Sequence, residues 1–373
     1  LENGKRENCI RCFPGWEGVF WTRLPDKSRD ETLNTKIIGG KRGHHRIPVK
    51  NTAGIRAGDV VTIQWFNKDG KRGALLKHIY GDYGLAMGKR LYGWFWNPIL
   101  TQPVTVEEVS EDKIVFKEPL LHDLREEWTP KIVRPSYLSQ VGMENIRFGF
   151  PASEYTGHHL EDGFNGIYFN DVMHSWVRNV WIHNADSAIL ADECKNITMD
   201  GVTVSGRQAP YSIAIANCYG ALVKNFKLQA AAIHNPSFNT KSRLSVYSGG
   251  KIDTAKLDQH RGINHQNLLD NIEITSAQDL FAHGGARYWG PTAGRYNTFW
   301  NIRIKSASPN GYLGQCTEAP EARLIGIVGE PTPVHFDYGP APYIEGLNRD
   351  GISVPSLYHY QLDMRKPLTG NKH

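Results

Sequence analysis

Asn145-Ile146-Arg147-Phe148, Asn179-Val180-Trp181-Ile182, Gly201-Val202-Thr203-Val204, Asn225-Phe226-Lys227-Leu228, Asn271-Ile272-Glu273-Ile274 and Asn301-Ile302-Arg303-Ile304 repeat one phrase. A turn-prone residue is followed by an apolar, a polar or aromatic, and another apolar residue. The copies start 34, 22, 24, 46 and 30 residues apart. The 46-residue interval is two coils, so one irregular repeat is expected between Asn225 and Asn271. Self-similarity at this period indicates a solenoid. Apolar residues two apart share one face of a strand. The strands are short, β-branched and aromatic-rich, and bounded by Asn and Gly, which tolerate a left-handed bend. No amphipathic stretch long enough for a helix per repeat lies between them, so coils of strand and turn alone, a parallel β-helix, are expected.

A second strand line keeps the same register. Ala188-Ile189-Leu190-Ala191 lies about one coil after Gly166-Ile167-Tyr168-Phe169, and Ile213-Ala214-Ile215-Ala216 about one coil later. Cys194 and Cys218, one repeat apart, should stack on neighbouring coils as free thiols or as a disulfide.

On this Asn-led strand ladder, over roughly residues 136 to 330, the chain resembles the right-handed parallel β-helix superfamily of pectate-lyase-like and polygalacturonase-like proteins. The resemblance implies a secreted or cell-surface protein that cleaves or binds an acidic polysaccharide. Handedness follows from it and from the general rule for parallel crossovers. The fold expected is therefore an all-β right-handed parallel β-helix solenoid with an inserted small antiparallel β subdomain.

The rest of the chain divides around that solenoid. Residues 1–50 are polar and irregular and read as an N-terminal arm that caps the open first coil. Residues 51–135 read as the small β subdomain, with a strand at Val60–Trp65 and a hairpin of Val104–Val109 and Lys113–Phe116 around Ser110-Glu111-Asp112. Residues 136–330 form the helix, and the Pro-rich residues 331–373 a C-terminal tail or cap. The aromatic run Tyr92-Gly93-Trp94-Phe95-Trp96 reads as packing onto the first coils, with a sugar clamp as its alternative.

Composition narrows the function classes. The 373 residues carry a formal charge of +5, which suits a polyanionic partner without demanding one. No apolar run reaches the ~18 residues of a membrane span. Basic residues are scattered and no nucleic-acid recognition motif is present. Of five cysteines, Cys9 and Cys12 form a lone Cys-x-x-Cys without the second pair or His spacing that zinc requires, so no metal site is expected there.

Polar residues that strands and turns do not need gather in three windows. One holds His158, His159, Glu161, Asp162 and Asp171. Another holds Lys251 and the run Asp258-Gln259-His260-Arg261-Gly262-Ile263-Asn264-His265. The last holds His283, Arg287 and Arg295, about one coil further on. Such a patch suits β-elimination on a uronic-acid polymer, which needs a base, positive charge on the carboxylate and an acid for the leaving oxygen. The base is His260 or Lys251, the carboxylate partner Arg261 or Arg287, and the acid His265 or His283. Arg295, His158, His159, Asp171 and Asp192 complete the expected binding surface. Histidines and arginines at solenoid turns also serve coil-to-coil hydrogen bonding, and each of these residues has that plainer role open to it.

Hydrolysis would use carboxylates instead. Asp171 and Asp192 lie about one coil apart, with Asp162 and Asp186 as further candidates. Of the polygalacturonase-like motifs only Arg303-Ile304-Lys305 is present, inside a repeating strand. No metal site is assigned: calcium on Glu161, Asp162 and Asp171 is the one cofactor either enzyme class would allow, but the Asp/Glu-dense loop of a dedicated calcium site is missing and surface solvation is the preferred reading. A non-catalytic structural or adhesive solenoid is the remaining class.

Overall fold

Asn and Gly at the start of each repeated phrase adopt the left-handed backbone the sequence implies. In the computed structural model φ is 55° at Asn145, 49° at Asn179, 69° at Gly201, 53° at Asn225, 52° at Asn271 and 51° at Asn301. This structure describes residues 18–24, 30–81, 97–158, 160–277, 280, 293–307, 320–329, 342–349 and 351–365. Left-handed backbone is costly for most side chains, which explains why the corner is written in Asn and Gly. Side-chain amides tie the corners together: Asn179 Nδ2 donates to Asn145 Oδ1 at 2.7 Å and Asn301 Nδ2 to Asn271 Oδ1 at 3.1 Å.

Strands on either side of that corner stack in parallel, coil on coil. Before it lie Gly142–Glu144, Trp176–Arg178, Thr198–Asp200, Leu222–Lys224 and Val246–Ser248. After it lie Arg147–Gly149, Trp181–His183, Thr203–Ser205, Lys227–Leu228 and Lys251–Ala255. The two lines merge in Leu268–Ala277, which pairs with Thr298–Ala307. Inward residues form columns such as Ile182, Val204, Leu228, Ile252, Ile274 and Ile304, each paired with the next. Each such buried side chain contributes about 1.5–3 kcal/mol.

The irregular repeat sits at Gly249-Gly250-Lys251-Ile252, where Gly249 takes the corner with φ 65°. Its apolar position is Gly250, because a Cβ there would meet ring carbons of the buried Phe226 at 2.1 Å. A large side chain in one coil fills the volume of the residue above it, and the hydrophobic pattern breaks without the coil breaking.

A second sheet runs along the other line, in the order Phe20–Trp21, Asn165–Asn170, Ser187–Asp192, Ala209–Ala216, Ser237–Thr240 and Asp258–Gly262. Ala232–His234 pairs with Ala209–Ala216 as well. The register Ile167–Ile189–Ile213 is the one the sequence implies. This is a right-handed parallel β-helix. Cys194 and Cys218 are buried free thiols on neighbouring coils.

The chain divides into two compact units, one of Leu1–Thr22, Ser139–Arg287 and Thr292–His373, the other of Arg23–Leu138 and Tyr288–Pro291. The first is the helix. The second carries an antiparallel sheet ordered Glu31–Thr32, Lys131–Arg134, Val60–Trp65, Leu100–Ser110, Lys113–Phe116 and Arg46–Pro48. The subdomain therefore begins near Arg23 rather than residue 51, because Glu31–Thr32 and Arg46–Pro48 are its edge strands. The expected hairpin is present, with Ser110 opposite Lys113. Of the arm, Phe20–Trp21 does cover the first rung of the helix, pairing with Ile167 and Tyr168. The tail also joins the helix. Tyr343–Glu345 adds a rung, and Asp270 accepts the Leu357 N–H at 2.7 Å where the helix Leu357–Arg365 begins. Cys9, Cys12 and the aromatic run 92–96 lie outside the described residues.

Candidate functional site

Strand alternation builds the site on the outer face of the second sheet. Ile167 and Phe169 point inward, so Tyr168 and Asn170 face out. The register carries this along two outward columns. One runs Tyr168, Leu190, Ala214, Ser237, Asp258, and the other Asn170, Asp192, Ala216, Asn239, His260. The first begins apolar, with Leu190, Ala214 and Tyr211 packed together and Tyr168 against them. It ends on a carboxylate.

Asp258 is the centre. Its Oδ2 accepts the Ser237 hydroxyl at 2.7 Å and lies 3.0 Å from His234 Nδ1 and 3.3 Å from His260 Nδ1. All three of these carboxylate and imidazole side chains are buried. Burial alone would push the Asp258 carboxyl up, but the two imidazoles hold it well below the usual carboxylate range through charge and hydrogen bonding. The His234 and His260 rings stand perpendicular, 4.5 Å between centroids, and Tyr211 stacks on His234 at 4.6 Å. His234 Nε2 is buried and has no hydrogen-bond partner. The explanations open to such a buried polar atom are an ordered water, a bound ion or a catalytic role.

His234 is held from its neighbour. Asn235 exchanges backbone hydrogen bonds with Lys256 at 3.3 and 3.0 Å and donates its side chain to Thr254 O at 2.8 Å. The Ser212 hydroxyl bonds Asn235 Oδ1 from the preceding coil. His158 closes the cluster from residues 151–164, with its ring 5.2 Å from His234 and 6.5 Å from Tyr211. Its Nδ1 meets Glu161 Oε1 at 3.2 Å, and Tyr155 donates to the same oxygen at 3.2 Å. Burial and then the Glu161 charge push the Tyr155 phenol up. Asp186 anchors this segment by accepting the Gly163 and Phe164 N–H groups at 2.7 Å each, and it pairs with Arg207. With 28% of its side chain exposed, His158 is the open edge of an otherwise buried cluster.

The structure brings together only some of the residues the sequence singled out. His260 and His158 are in the cluster. Arg261 is the extra residue of a β-bulge, since Asn239 pairs with His260 but Thr240 with Gly262. Lys251 lies in the other sheet, exposed and paired with Glu273 at 3.0 Å, so it does not join His260. His265 is buried at a corner, its Nδ1 2.8 Å from Ile263 O, in a column with Lys195, Tyr219 and Arg243. Arg295 lies 3.3 Å from Glu321. Asp192 pairs with Asn170 rather than Asp171, and its carboxylate accepts Asn217 Nδ2 at 2.7 Å. Asp171 is the buried corner residue beyond, with φ 53°. His159, His283 and Arg287 lie outside the described residues.

His234 and Tyr211 were missed. Each is a single residue whose neighbours in sequence look structural. The available signal was spacing: Tyr211, His234 and Asp258 follow at about one coil each, and Asp258-x-His260 alternation puts both on one face.

No protein-family model and no curated protein matches the sequence. Among solved structures, the chain is similar to the gp54 tailspike of Acinetobacter baumannii bacteriophage AP22, determined with A. baumannii capsular saccharide. The two share 11% identity over 86% of this chain and 57% of that one, with a TM-score of 0.42. It is also similar to the tailspike gp49 of Pseudomonas phage LKA1, with 13% identity, 86% and 59% coverage and a TM-score of 0.41. A further neighbour is the tailspike gp61 of Pseudomonas phage phi297, with 10% identity, 89% and 61% coverage and a TM-score of 0.39. The chain thus spans about three-fifths of each of these proteins. Its architecture rests on the pairing of its own strands.

Proposed function

We propose that the protein acts outside the cell on an acidic polysaccharide and cleaves it by β-elimination. One observation carries this reading. His234 is fixed through Nδ1 to a buried carboxylate, while its Nε2 is left without a partner inside a cluster of His158, Tyr211 and His260. A hydrogen bond from Nδ1–H leaves the lone pair on Nε2, which is the form a general base needs.

In the step proposed, the His158 edge of the cluster opens to admit the sugar, and Nε2, which is buried while the cluster is closed, takes the proton beside the uronate carboxylate. The electron pair forms the ring double bond, the bond to the neighbouring sugar oxygen breaks, and that oxygen receives a proton from His158 at the open edge. His260 shares the Asp258 anchor and sets the electrostatics around His234. Arg261 is the proposed partner of the substrate carboxylate, because a guanidinium grips a carboxylate with two hydrogen bonds.

A panel of acidic and neutral polysaccharides tests this with two readouts, ultraviolet absorbance of unsaturated uronate ends and new reducing ends. Both should rise with the native protein and fall by about 10²–10⁴ in His234→Gln. Reducing ends without absorbance would replace elimination by hydrolysis. Silence across the panel would leave a binding or structural solenoid.

A further inference from the structure

The donors of His234, Asp258 and His260 approach one another as ligands of one metal ion do. Among the described residues this is the group of His, Cys, Asp or Glu side chains whose donor atoms converge, all within 4.8 Å of one another. A tetrahedral Zn²⁺ ion at about 2.0–2.1 Å from its ligands sets them roughly 3.3 Å apart. The two nitrogens here stand 3.0 and 3.3 Å from the same oxygen. The rings are perpendicular, so both nitrogens face the carboxylate without a clash. All three side chains are buried, and the second nitrogen of His234 is unpartnered. Two imidazoles and one carboxylate suit Zn²⁺ and its neighbours in the first transition row, whereas Ca²⁺ and Mg²⁺ prefer oxygen alone.

We infer that His234, Asp258 and His260 form a capture site for a divalent transition-metal ion of the Zn²⁺ class, and that its occupancy switches the catalytic site off. Only the second half rests on the function proposed above. The metal takes Nδ1 of His234 and of His260, and in each ring a proton on Nδ1 moves to Nε2, so that no net proton is released. Nε2 of His234 then donates instead of accepting, and the imidazole can no longer remove a proton. Asp258, now a ligand, also stops holding the base in its active tautomer.

The test uses the full chain stripped of metal by chelation. Calorimetric titration with ZnCl₂ should show one more bound equivalent in the native protein and in His359→Gln, a change at an exposed histidine, than in His234→Gln/His260→Gln. In Asp258→Asn that equivalent should bind at least tenfold more weakly. MgCl₂ should not compete. Because the double variant could fail to fold, CoCl₂ added to the native protein provides a readout without mutation. A strong visible absorption from a low-coordinate Co²⁺ ion is expected, and a weak aqueous-type spectrum overturns the capture site. Equal Zn²⁺ isotherms in native and folded double-variant protein overturn it too. With a cleaved polysaccharide in hand, one equivalent of Zn²⁺ should lower the rate at least tenfold and a chelator should restore it. An unchanged rate with Zn²⁺ bound overturns the switch. A panel on which nothing is cleaved counts against the proposed function and equally against the switch, and leaves capture to be decided by the isotherms.

Discussion

His234 Nδ1 lies 3.0 Å from Asp258 Oδ2, and an Nδ1–H donated across this contact leaves the lone pair of the imidazole on Nε2. Asp258→Asn keeps the shape and removes the charge. The amide can present its N–H to Nδ1, which moves the imidazole proton to Nε2 and removes the proposed base. Cleavage should drop by about 10²–10⁴, with a smaller change in KM than in kcat. An Asn variant with native turnover would show that the proton goes elsewhere.

The same carboxylate sets a pH window for stability. Its folded-state value is held well below the ordinary one. The sign is that of a depressed acid: the contribution is fully present above the unfolded value of about 3.9 and is lost as pH falls through the folded value. Denaturant midpoints taken from pH 6 down to pH 2 should therefore fall in native protein more than in Asp258→Asn. Parallel curves for the two proteins would remove Asp258 from the acid transition.

Asn301 tests the corner ladder. It is buried, has φ 51°, and donates Nδ2 to Asn271 Oδ1 at 3.1 Å and to Pro355 O at 2.8 Å. Asn301→Ala loses both bonds and keeps a Cβ in left-handed backbone, for a loss of about 2–4 kcal/mol. Asn301→Gly loses the bonds alone and should be the milder variant by about 1 kcal/mol. Thermal or denaturant unfolding would read the order, and Ala milder than Gly would contradict the backbone account.

The solenoid was legible because one corner repeats one chemistry: Asn145, Asn179, Gly201, Asn225, Asn271 and Asn301 all need the same left-handed φ. The site was legible only in part. His260 stood out among charged neighbours, but Lys251, close in sequence, belongs to the other sheet, because one coil carries the chain through more than one face. His234 could not be ranked without knowing the register that sets it beside Tyr211. The boundary near Arg23 was hidden because two-residue edge strands such as Glu31–Thr32 are too short to show alternation.

Gly250 and Phe226 are the second packing test. A Cβ at Gly250 would sit 2.1 Å from two ring carbons of Phe226, and Gly250 has no left-handed φ that would add strain. Gly250→Ala should therefore destabilise by overpacking, about 1–3 kcal/mol. Shrinking the ring in Gly250→Ala/Phe226→Leu should recover part of that, giving a coupling of about 0.5–3 kcal/mol in a double-mutant cycle. Additive effects would mean that the ring does not set the glycine.

Lys241 is a cation the fold tolerates at a cost. Burial, with Arg243 nearby, brings its ammonium down to about 8, while the Glu193 charge opposes this. Unfolded, the same group titrates near about 10.4. Between these values the unfolded chain binds the proton that the folded chain has released, so stability contributed at this position rises with pH from about 8 to about 10.4. Below that window both states are charged and the folded state carries the penalty in full. Lys241→Met keeps the length of the side chain and removes the charge. It should be more stable than the native protein at pH 7, by up to about 3 kcal/mol, the equivalent of the shift. The advantage should shrink towards zero as the native lysine loses its proton. Denaturant midpoints of the two proteins at pH 7, 8.5 and 10 read this directly. An advantage that stays constant across the three would trace to packing of the methionine rather than to the buried charge. A less stable variant at pH 7 would mean that the attraction of Glu193 outweighs both burial and Arg243.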